Sequence, residues 1–331
     1  MRTPPRQAAP IAERPRATFL DYVRIARPDH WTKHSFILPG IALAALLRSV
    51  SPLDRLVPIL VGLMSAAAIA SANYVLNEWL DAKFDAHHPT KADRPAVRTR
   101  MSRRIVILEY LGLLALGLVG AASVSPLFLG ASSAFVLSGW VYNVPPIRTK
   151  DRVYLDVVSE AVNSPIRLTL GWAMIDGLTL PPGSLLLAFW MGGAYLMGIK
   201  RFAEQRTAHH ENTNQALKLY RASFQYYTTE SLLLSSFLYA QLAAFFLAVF
   251  LIKYRIEYLL VFPFLAVLFT VYLWLGLREA SPTQAPERLF KSRALLTIVG
   301  LVATALVVLT FVDIPLLEQL TRPHFIDLSA R

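Results

Sequence analysis

Long apolar stretches, separated by short polar segments, dominate the pattern of this chain. Seven of them carry almost no charge, and most reach the roughly 20 residues that a helix needs to cross the hydrocarbon of a bilayer. They cover residues 56–76, 105–124, 126–142, 184–199, 231–252, 258–277 and 294–312. Two less regular segments, 36–47 and 153–175, bring the prediction to nine transmembrane helices. The pattern thus predicts an all-α integral membrane protein.

Composition and charge agree with this prediction. The 331 residues are 55% hydrophobic and only 17% charged, which is too apolar for one soluble core. If nine helices alternate, 26 of the 33 Lys and Arg residues fall on one side of the membrane and six on the other. Because positively charged loops stay in the cytoplasm, the N-terminus and the loops on that side are predicted to be cytoplasmic. The net charge of +11 then needs no nucleic-acid partner.

The chain is predicted to form one membrane domain with two short ends. Residues 1–17 are rich in Pro and Arg, lack the apolar segment of a signal peptide, and are expected to be a disordered cytoplasmic arm. Residues 18–315 form the transmembrane domain, and residues 316–331 form a C-terminal tail. Cysteine is absent, which excludes disulfides and thiolate metal sites.

The strongest chemical signal lies at the cytoplasmic end of the second predicted span. Asn73, Asn77, Asp81 and Asp85 recur every four residues and therefore share one helix face, with Glu78 beside them. Magnesium is usually bound by one or two carboxylates together with substrate phosphate oxygens. The alternative is a polar helix end in water, but acids so near lipid are costly unless they are used. The stripe therefore indicates a magnesium site.

A basic segment, residues 87–95, follows this stripe directly. Its Lys91 and Arg94 are placed to bind the phosphate oxygens that a magnesium ion leaves free, with Arg94 able to bind two oxygens at once. His88 in the same segment is a weaker candidate. The alternative for the two cations is that they only fix the orientation of the span in the membrane.

A second polar stripe enters the fifth predicted span. Asp156, Glu160, Asn163 and Arg167 follow one another at intervals of four, three and four residues. Such a stripe must face the bundle interior or a watery cavity. Either it contributes to the diphosphate site or it is a structural network between Glu160 and Arg167. Further candidate phosphate ligands on the same side are Lys33, Tyr142, Arg148, Lys150, Lys200 and Arg201.

Two acidic groups and several cationic ones on one membrane face are what a diphosphate with magnesium requires. The predicted catalytic acids are Asp81, Asp85, Asp156 and Glu160. Asn77 and Glu78 join these four as metal ligands. Substrate binding is assigned to Asn73, Lys33, Lys91, Arg94, Tyr142, Arg148, Lys150, Asn163, Lys200 and Arg201. The sequence contains no P-loop, dinucleotide fingerprint or Ser-His-Asp arrangement.

These motifs resemble those of the UbiA-type membrane prenyltransferase superfamily. The first signature reads Asn77-Glu78-x-x-Asp81-x-x-x-Asp85, with Glu78 where the family usually has Asp. The second Asp-rich motif is matched by Asp151, Asp156 and Glu160. Over roughly residues 20–310, the resemblance implies a nine-helix bundle around a lipid-open cavity, a polyprenyl phosphate or diphosphate substrate, and Mg²⁺ as cofactor.

Within this superfamily, three segments are similar to the decaprenyl-phosphate phosphoribosyltransferase branch. They are the Arg27-Pro28-x-x-Trp31-x-Lys33 start, the His88-Pro89-Thr90-Lys91 segment and Lys200-Arg201-Phe202-Ala203-Glu204. That branch implies transfer of a phosphoribosyl group from phosphoribosyl diphosphate to a polyprenyl phosphate. The second motif is equally compatible with conventional prenyl transfer from a polyprenyl diphosphate to an aromatic acceptor.

Two functions of another kind remain open from the sequence. An ion-coupled transporter would use the stripe from Asp156 to Arg167 as an ion path, although such sites usually lie at the midplane of internally repeated folds. The second function is that of a non-catalytic relative that only binds polyprenyl phosphate, because Glu78 departs from the family pattern.

Overall fold

The computed structural model describes residues 14–88, 91–210, 213–278, 281–284, 289 and 291–321. The side chains of residues 32–34 lie outside this description. Regular structure in the described part is helical, apart from one isolated bridge between Arg16 and Arg100. Most of the predicted N-terminal arm and C-terminal tail fall outside the described residues.

Fourteen α-helices, several of them joined by short 3-10 turns, make up the described chain. They are α1 (Phe19–Ile25), α2 (Leu38–Arg48), α3 (Leu56–Asp85), α4 (Pro95–Arg98), α5 (Arg103–Val124), α6 (Pro126–Asn143), α7 (Leu155–Ala161), α8 (Asn163–Ile175), α9 (Gly183–His210), α10 (Asn214–Tyr220), α11 (Thr229–Tyr254), α12 (Phe262–Gly276), α13 (Arg293–Phe311) and α14 (Pro315–Thr321). The predicted all-α fold class is confirmed.

Five helical segments of the described chain are long and apolar enough to cross a membrane. They are Pro52–Asp85, Arg103–Val124, Thr229–Tyr254, Ile256–Gly276 and Arg293–Phe311. The chain is thus a multi-pass membrane protein, while the count of nine spans stays a prediction. The predicted segment 36–47 forms a shorter apolar helix, and the segment 153–175 is divided at Val162 into α7 and α8.

Helix α3 lies at the centre of the bundle, because small residues allow its neighbours to approach closely. Its middle is a run of buried Ala and Ser residues between positions 65 and 72, and it packs against α5, α6 and α8. Close packing through small residues is the usual way in which membrane helices associate. This position carries the polar end of α3 into the protein interior.

A second close approach joins α2 to α8. A Cβ added at Gly40 would lie 2.1 Å from the carbonyl oxygen of Leu168, and one at Gly171 would lie 2.2 Å from that of Ile37. The two backbones therefore meet where neither residue has a side chain. This crossing fixes α8, which carries Asn163 and Arg167.

Candidate active site

The stripe predicted on the second span is present at the C-terminal end of α3. Asn73, Asn77, Asp81 and Asp85 all belong to this one helix. Asp85 is fully buried and Asp81 is 8% exposed, although both are charged residues at the end of an apolar helix. Such burial requires compensating partners.

Asp81 is paired with two cations from the loop that follows α6. Its Oδ1 accepts hydrogen bonds from Arg148 Nη2 at 2.9 Å and from Lys150 Nζ. Lys150 also donates to Asn143 Oδ1 at 2.8 Å, and that oxygen accepts a second hydrogen bond from Asn77. The structure thus brings three of the predicted site residues, Asn77, Arg148 and Lys150, together around Asp81.

The loop holds its two cations in fixed positions. Arg148 donates through Nε to Asp151 at 2.6 Å and through Nη1 to the Asn143 carbonyl at 3.1 Å, and its guanidinium lies 4.7 Å from the centre of the Phe84 ring. Burial lowers the pKa of Lys150 to about 8, although the adjacent Asp81 carboxylate acts in the opposite direction. Lys150 therefore still carries its charge at neutral pH.

Asp85 has one satisfied oxygen and one unsatisfied oxygen. Its Oδ2 accepts a hydrogen bond from Arg94 Nη1 at 2.6 Å. Its Oδ1 is buried and has no hydrogen-bond partner among the described residues. Glu78 interacts electrostatically with Arg94, while its Oε1 accepts a hydrogen bond from the backbone N–H of Ala96 in α4 at 3.5 Å.

The second acidic group is held in a separate network of ion pairs. Asp156 is fully buried and accepts hydrogen bonds from Tyr227 and Ser223, with Arg201 Nε 3.5 Å and Arg221 Nη1 3.6 Å away. The two guanidinium groups compensate the charge of the carboxylate, and the two hydroxyl groups donate hydrogen bonds to its oxygens. The charge of Asp156 is therefore balanced by side chains of the protein.

Arg201 connects Asp156 to the next acid of the motif. Its Nη2 lies 2.9 Å from Glu160 Oε2, which also accepts a hydrogen bond from Tyr142 at 2.7 Å. Its Nη1 lies 2.8 Å from Glu204. Lys200 interacts electrostatically with Glu204 and Glu160. The ion pair between Glu160 and Arg167, which was the structural alternative for this stripe, is not formed among the described residues. Glu160 is paired with Arg201 and acts on Arg167 only electrostatically.

A segment that the sequence did not indicate completes the site. Tyr220 and Arg221, at the C-terminal end of α10, line a small cleft together with Asp81, Arg148, Lys150 and Asp151. Lys91 donates a hydrogen bond to Tyr220 and lies over its ring. No local spacing relates this segment to α3 or α6. The adjacent Tyr220 and Arg221, on the side of the membrane that the sequence predicts to be cytoplasmic, were the signal that could have indicated it.

The remaining predicted ligands lie elsewhere or outside the described chain. Asn73 and Asn163 are deeper in the bundle, where Asn73 donates to the Phe135 carbonyl and Asn163 accepts from Ser138. The Lys33 side chain is outside the described residues.

The described residues fit a magnesium ion at one place. They contain no group of three His, Asp or Glu side chains poised around a cation. Magnesium does not require such a cage, since it is usually bound by one or two carboxylates plus water and substrate phosphates. Asp85 offers a buried oxygen without a partner, and Asp81 lies one helical turn away on the same face. These two carboxylates have the donor chemistry for the ion.

Comparison with known proteins agrees with the geometry. Over 186 residues the chain is 27% identical to nodulation protein NoeC of Azorhizobium caulinodans, and over 204 residues it is 26% identical to protoheme IX farnesyltransferase of Alkalihalophilus pseudofirmus. These alignments cover 56% and 60% of this chain, and 58% and 64% of the relatives, which is less than two thirds of their length.

The fold is similar to that of solved membrane proteins. A UbiA homologue from Archaeoglobus fulgidus bound to GPP and Mg²⁺ superposes with a TM-score of 0.64 at 21% identity, covering 88% of this chain and all of that one. A digeranylgeranylglyceryl phosphate synthase superposes with a TM-score of 0.58 at 14% identity, covering 88% of this chain and 98% of that one. Residues 35–299 match the UbiA prenyltransferase family itself. With the paired acidic motifs on α3 and α7, this match places the chain in the UbiA prenyltransferase family.

Proposed function

We propose that this protein is a magnesium-dependent transferase that acts on a polyprenyl phosphate or diphosphate at its cytoplasmic membrane face. The observation that carries the proposal is the arrangement around α3. Two buried carboxylates lie beside cations from two separate loops, and one of them has an oxygen with no partner among the described residues. Anions with several phosphate oxygens fit such a combination, since metal and cations share their charge.

Asp81 and Asp85 are the proposed magnesium ligands. When bound, the ion would neutralise charge on the departing diphosphate. Arg94 already touches Asp85, and Arg148 and Lys150 already touch Asp81, so the same three cations can bind phosphate oxygens next to the ion. The site would thereby stabilise negative charge on the leaving group as the carbon–oxygen bond breaks.

Relatives support a prenyl-linked substrate. The solved Archaeoglobus fulgidus homologues are bound to GPP and Mg²⁺ or to DMAPP and Mg²⁺, and one curated relative is a farnesyltransferase by name. By analogy, the apolar faces of the bundle in this chain would hold the hydrocarbon of the lipid.

The finer proposal is phosphoribosyl transfer. In this reaction a polyprenyl phosphate oxygen attacks C1 of phosphoribosyl diphosphate, the bond from C1 to the diphosphate oxygen breaks, and diphosphate leaves with the bonding electrons. The cations of the cleft support this proposal. Lys91 and Arg221 join the three cations already named, and five cations suit the diphosphate and the 5-phosphate of one phosphoribosyl diphosphate. The three sequence segments similar to the phosphoribosyltransferase branch point the same way.

Conventional prenyl transfer is the second candidate. It is favoured by the Tyr142 hydroxyl and the aromatic side chains near the second motif, which could contact an aromatic acceptor. In both reactions the diphosphate leaves from the same acidic site. The reactions differ in whether the lipid is acceptor or donor.

A paired assay on purified protein in nanodiscs tests the proposal. One reaction contains Mg²⁺, radiolabelled phosphoribosyl diphosphate and decaprenyl phosphate, and the other contains radiolabelled polyprenyl diphosphate and 4-hydroxybenzoate. Sugar label in the lipid fraction establishes phosphoribosyl transfer, and a prenylated aromatic product establishes the conventional reaction. Absence of product from both reactions, with protein that remains folded, would refute the proposal.

A further inference from the structure

Arg167 is a partly buried cation that forms no ion pair with an acid of the described chain. It lies on α8 between the buried Ile166 and Leu168, and its Nε is buried with no hydrogen-bond partner in the described part of the chain. Glu160, the acid nearest to it along the motif, is paired with Arg201. The guanidinium lies 5.5 Å from the centre of the Phe135 ring, and it interacts electrostatically with Tyr74 and with Glu160, whose charge Arg201 already compensates.

Such a group needs an anion. Taking a guanidinium out of water is costly unless an opposite charge or hydrogen-bond acceptors replace the solvent. An aromatic face replaces only part of that lost solvation. Charged residues inside membrane bundles therefore usually mark a ligand or ion site.

Polar groups around Phe135 make this place a binding site rather than a lone charge. Asn73 donates to the Phe135 carbonyl at 3.0 Å, while its own Oδ1 is buried and unpartnered within the described chain. The Ser138 hydroxyl lies 2.8 Å from Asn163 Oδ1 and 2.9 Å from the same carbonyl, and it can donate its proton to either oxygen. Helices α3, α6 and α8 thus direct amide and hydroxyl groups toward one spot.

The absence of a side chain at position 139 keeps space for this group. A Cβ at Gly139 would lie 2.4 Å from Asn73 Oδ1. The amide can therefore lie against α6, facing the interior, only because this residue is glycine.

The site is separate from the diphosphate site. Arg167 follows Glu160 by seven residues along α7 and α8, which is about 10 Å along the bundle axis by helical rise. In a displacement reaction the attacking oxygen enters on the side of the reacting carbon opposite to the leaving diphosphate. Two anionic substrates therefore need two anion sites, and the Asp81–Asp85 region supplies only one.

We infer that Arg167, together with Asn163, binds the oxyanion of the acceptor substrate and positions it for attack. This inference rests on the proposed transferase function. The shared chemistry is a phosphate or carboxylate group: the phosphate of a polyprenyl phosphate acceptor, or the carboxylate of an aromatic acceptor. The role of Arg167 is to bind the acceptor, so it affects the acceptor's KM more than the donor's.

Kinetics of three variants test the inference. Arg167→Gln is expected to raise the KM for the acceptor at least about tenfold, the effect of losing one charge-assisted hydrogen bond, while the KM for the donor stays within about twofold. Arg167→Lys keeps the charge and is expected to fall between Arg167→Gln and wild type. Arg104→Gln, an exposed Arg at the start of α5, is the matched control and is expected to leave both values unchanged. Equal increases of both KM values would overturn the inference.

Ligand binding without turnover separates this inference from the proposed function. Farnesyl phosphate and 4-hydroxybenzoate are added singly to detergent-solubilised protein without Mg²⁺ or donor, and the shift in Tm is measured. At least one of them is expected to raise the Tm of wild type and of Asp81→Asn, but not of Arg167→Gln. The one that does so identifies the acceptor as a lipid phosphate or a carboxylate.

Stabilisation of neither wild type nor Asp81→Asn, or equal stabilisation of Arg167→Gln, would overturn the inference even if the enzyme is active. Lack of turnover with a normal binding result would instead overturn the proposed function.

Discussion

Replacing Asp85 by Asn tests two roles of this residue, as the ion-pair partner of Arg94 and as a proposed magnesium ligand. Asp85 is fully buried, its Oδ2 is paired with Arg94 at 2.6 Å, and its Oδ1 has no partner among the described residues. Removing one member of a buried ion pair leaves the other charge uncompensated and typically costs about 3–5 kcal/mol of stability. Asp85→Asn is therefore expected to lower the Tm of the solubilised protein.

The double variant Asp85→Asn/Arg94→Gln restores neutrality at this pair. Because no uncompensated charge remains, most of the lost Tm is expected to return. Transferase activity is not expected to return, because the oxygen proposed to bind magnesium is still replaced. A loss of at least about hundredfold in kcat/KM is expected for both variants, equivalent to about 2.7 kcal/mol of transition-state stabilisation.

Magnesium titration of the residual activity completes this test. If Asp85 is a ligand, the Mg²⁺ concentration for half-maximal rate rises in Asp85→Asn, whereas Arg94→Gln alone raises mainly the KM for the diphosphate substrate. Recovery of activity together with Tm in the double variant would show that Asp85 serves only to hold Arg94. An unchanged magnesium requirement in Asp85→Asn would refute the assignment in the same way.

Two further predictions concern packing and ionisation. Gly171→Ala places a Cβ 2.2 Å from the Ile37 carbonyl oxygen and is expected to destabilise the protein by about 1–3 kcal/mol. Gly130→Ala is the control, because a Cβ at that position meets nothing within 4 Å and should leave stability unchanged. Thermal unfolding in detergent compares the two variants, and equal Tm values would refute the close approach of α2 and α8. Burial lowers the pKa of His88 from 6.5 to about 3, so its imidazole is neutral at working pH. The pH profile of the rate between about pH 5.5 and 7.5 is expected to be the same in His88→Asn and wild type, and a step near pH 6.5 that disappears in the variant would contradict this.

The sequence was most informative where the chemistry lies on one helix. Asn73, Asn77, Asp81 and Asp85 are set by a four-residue interval, and the structure places all four on α3. Family membership and the all-helical fold were likewise predictable from these motifs and from the apolar segments. Local periodicity determines such features directly.

Partner choice within the site was not predictable, because it depends on contacts between distant segments. Tyr227 and Ser223 reach Asp156 from about seventy residues further along the chain, and Arg201 takes Glu160 away from Arg167. These contacts arise from the packing of the α9–α11 region against α7, which no spacing in the sequence records. The division of the fifth predicted span at Val162 was also missed, although the Asn163-Ser164-Pro165 sequence directly after it is typical of a helix start.

Magnesium-dependent release of diphosphate is the most direct test of the central claim, because both candidate reactions share it. Purified protein in nanodiscs is supplied with phosphoribosyl diphosphate and decaprenyl phosphate, or with a polyprenyl diphosphate and 4-hydroxybenzoate, and diphosphate is quantified over time. The account predicts release from one of these pairs in Mg²⁺, none in EDTA, and a loss of at least about hundredfold in Asp81→Asn. Release that persists in EDTA, or that is unaffected in Asp81→Asn, would contradict the account.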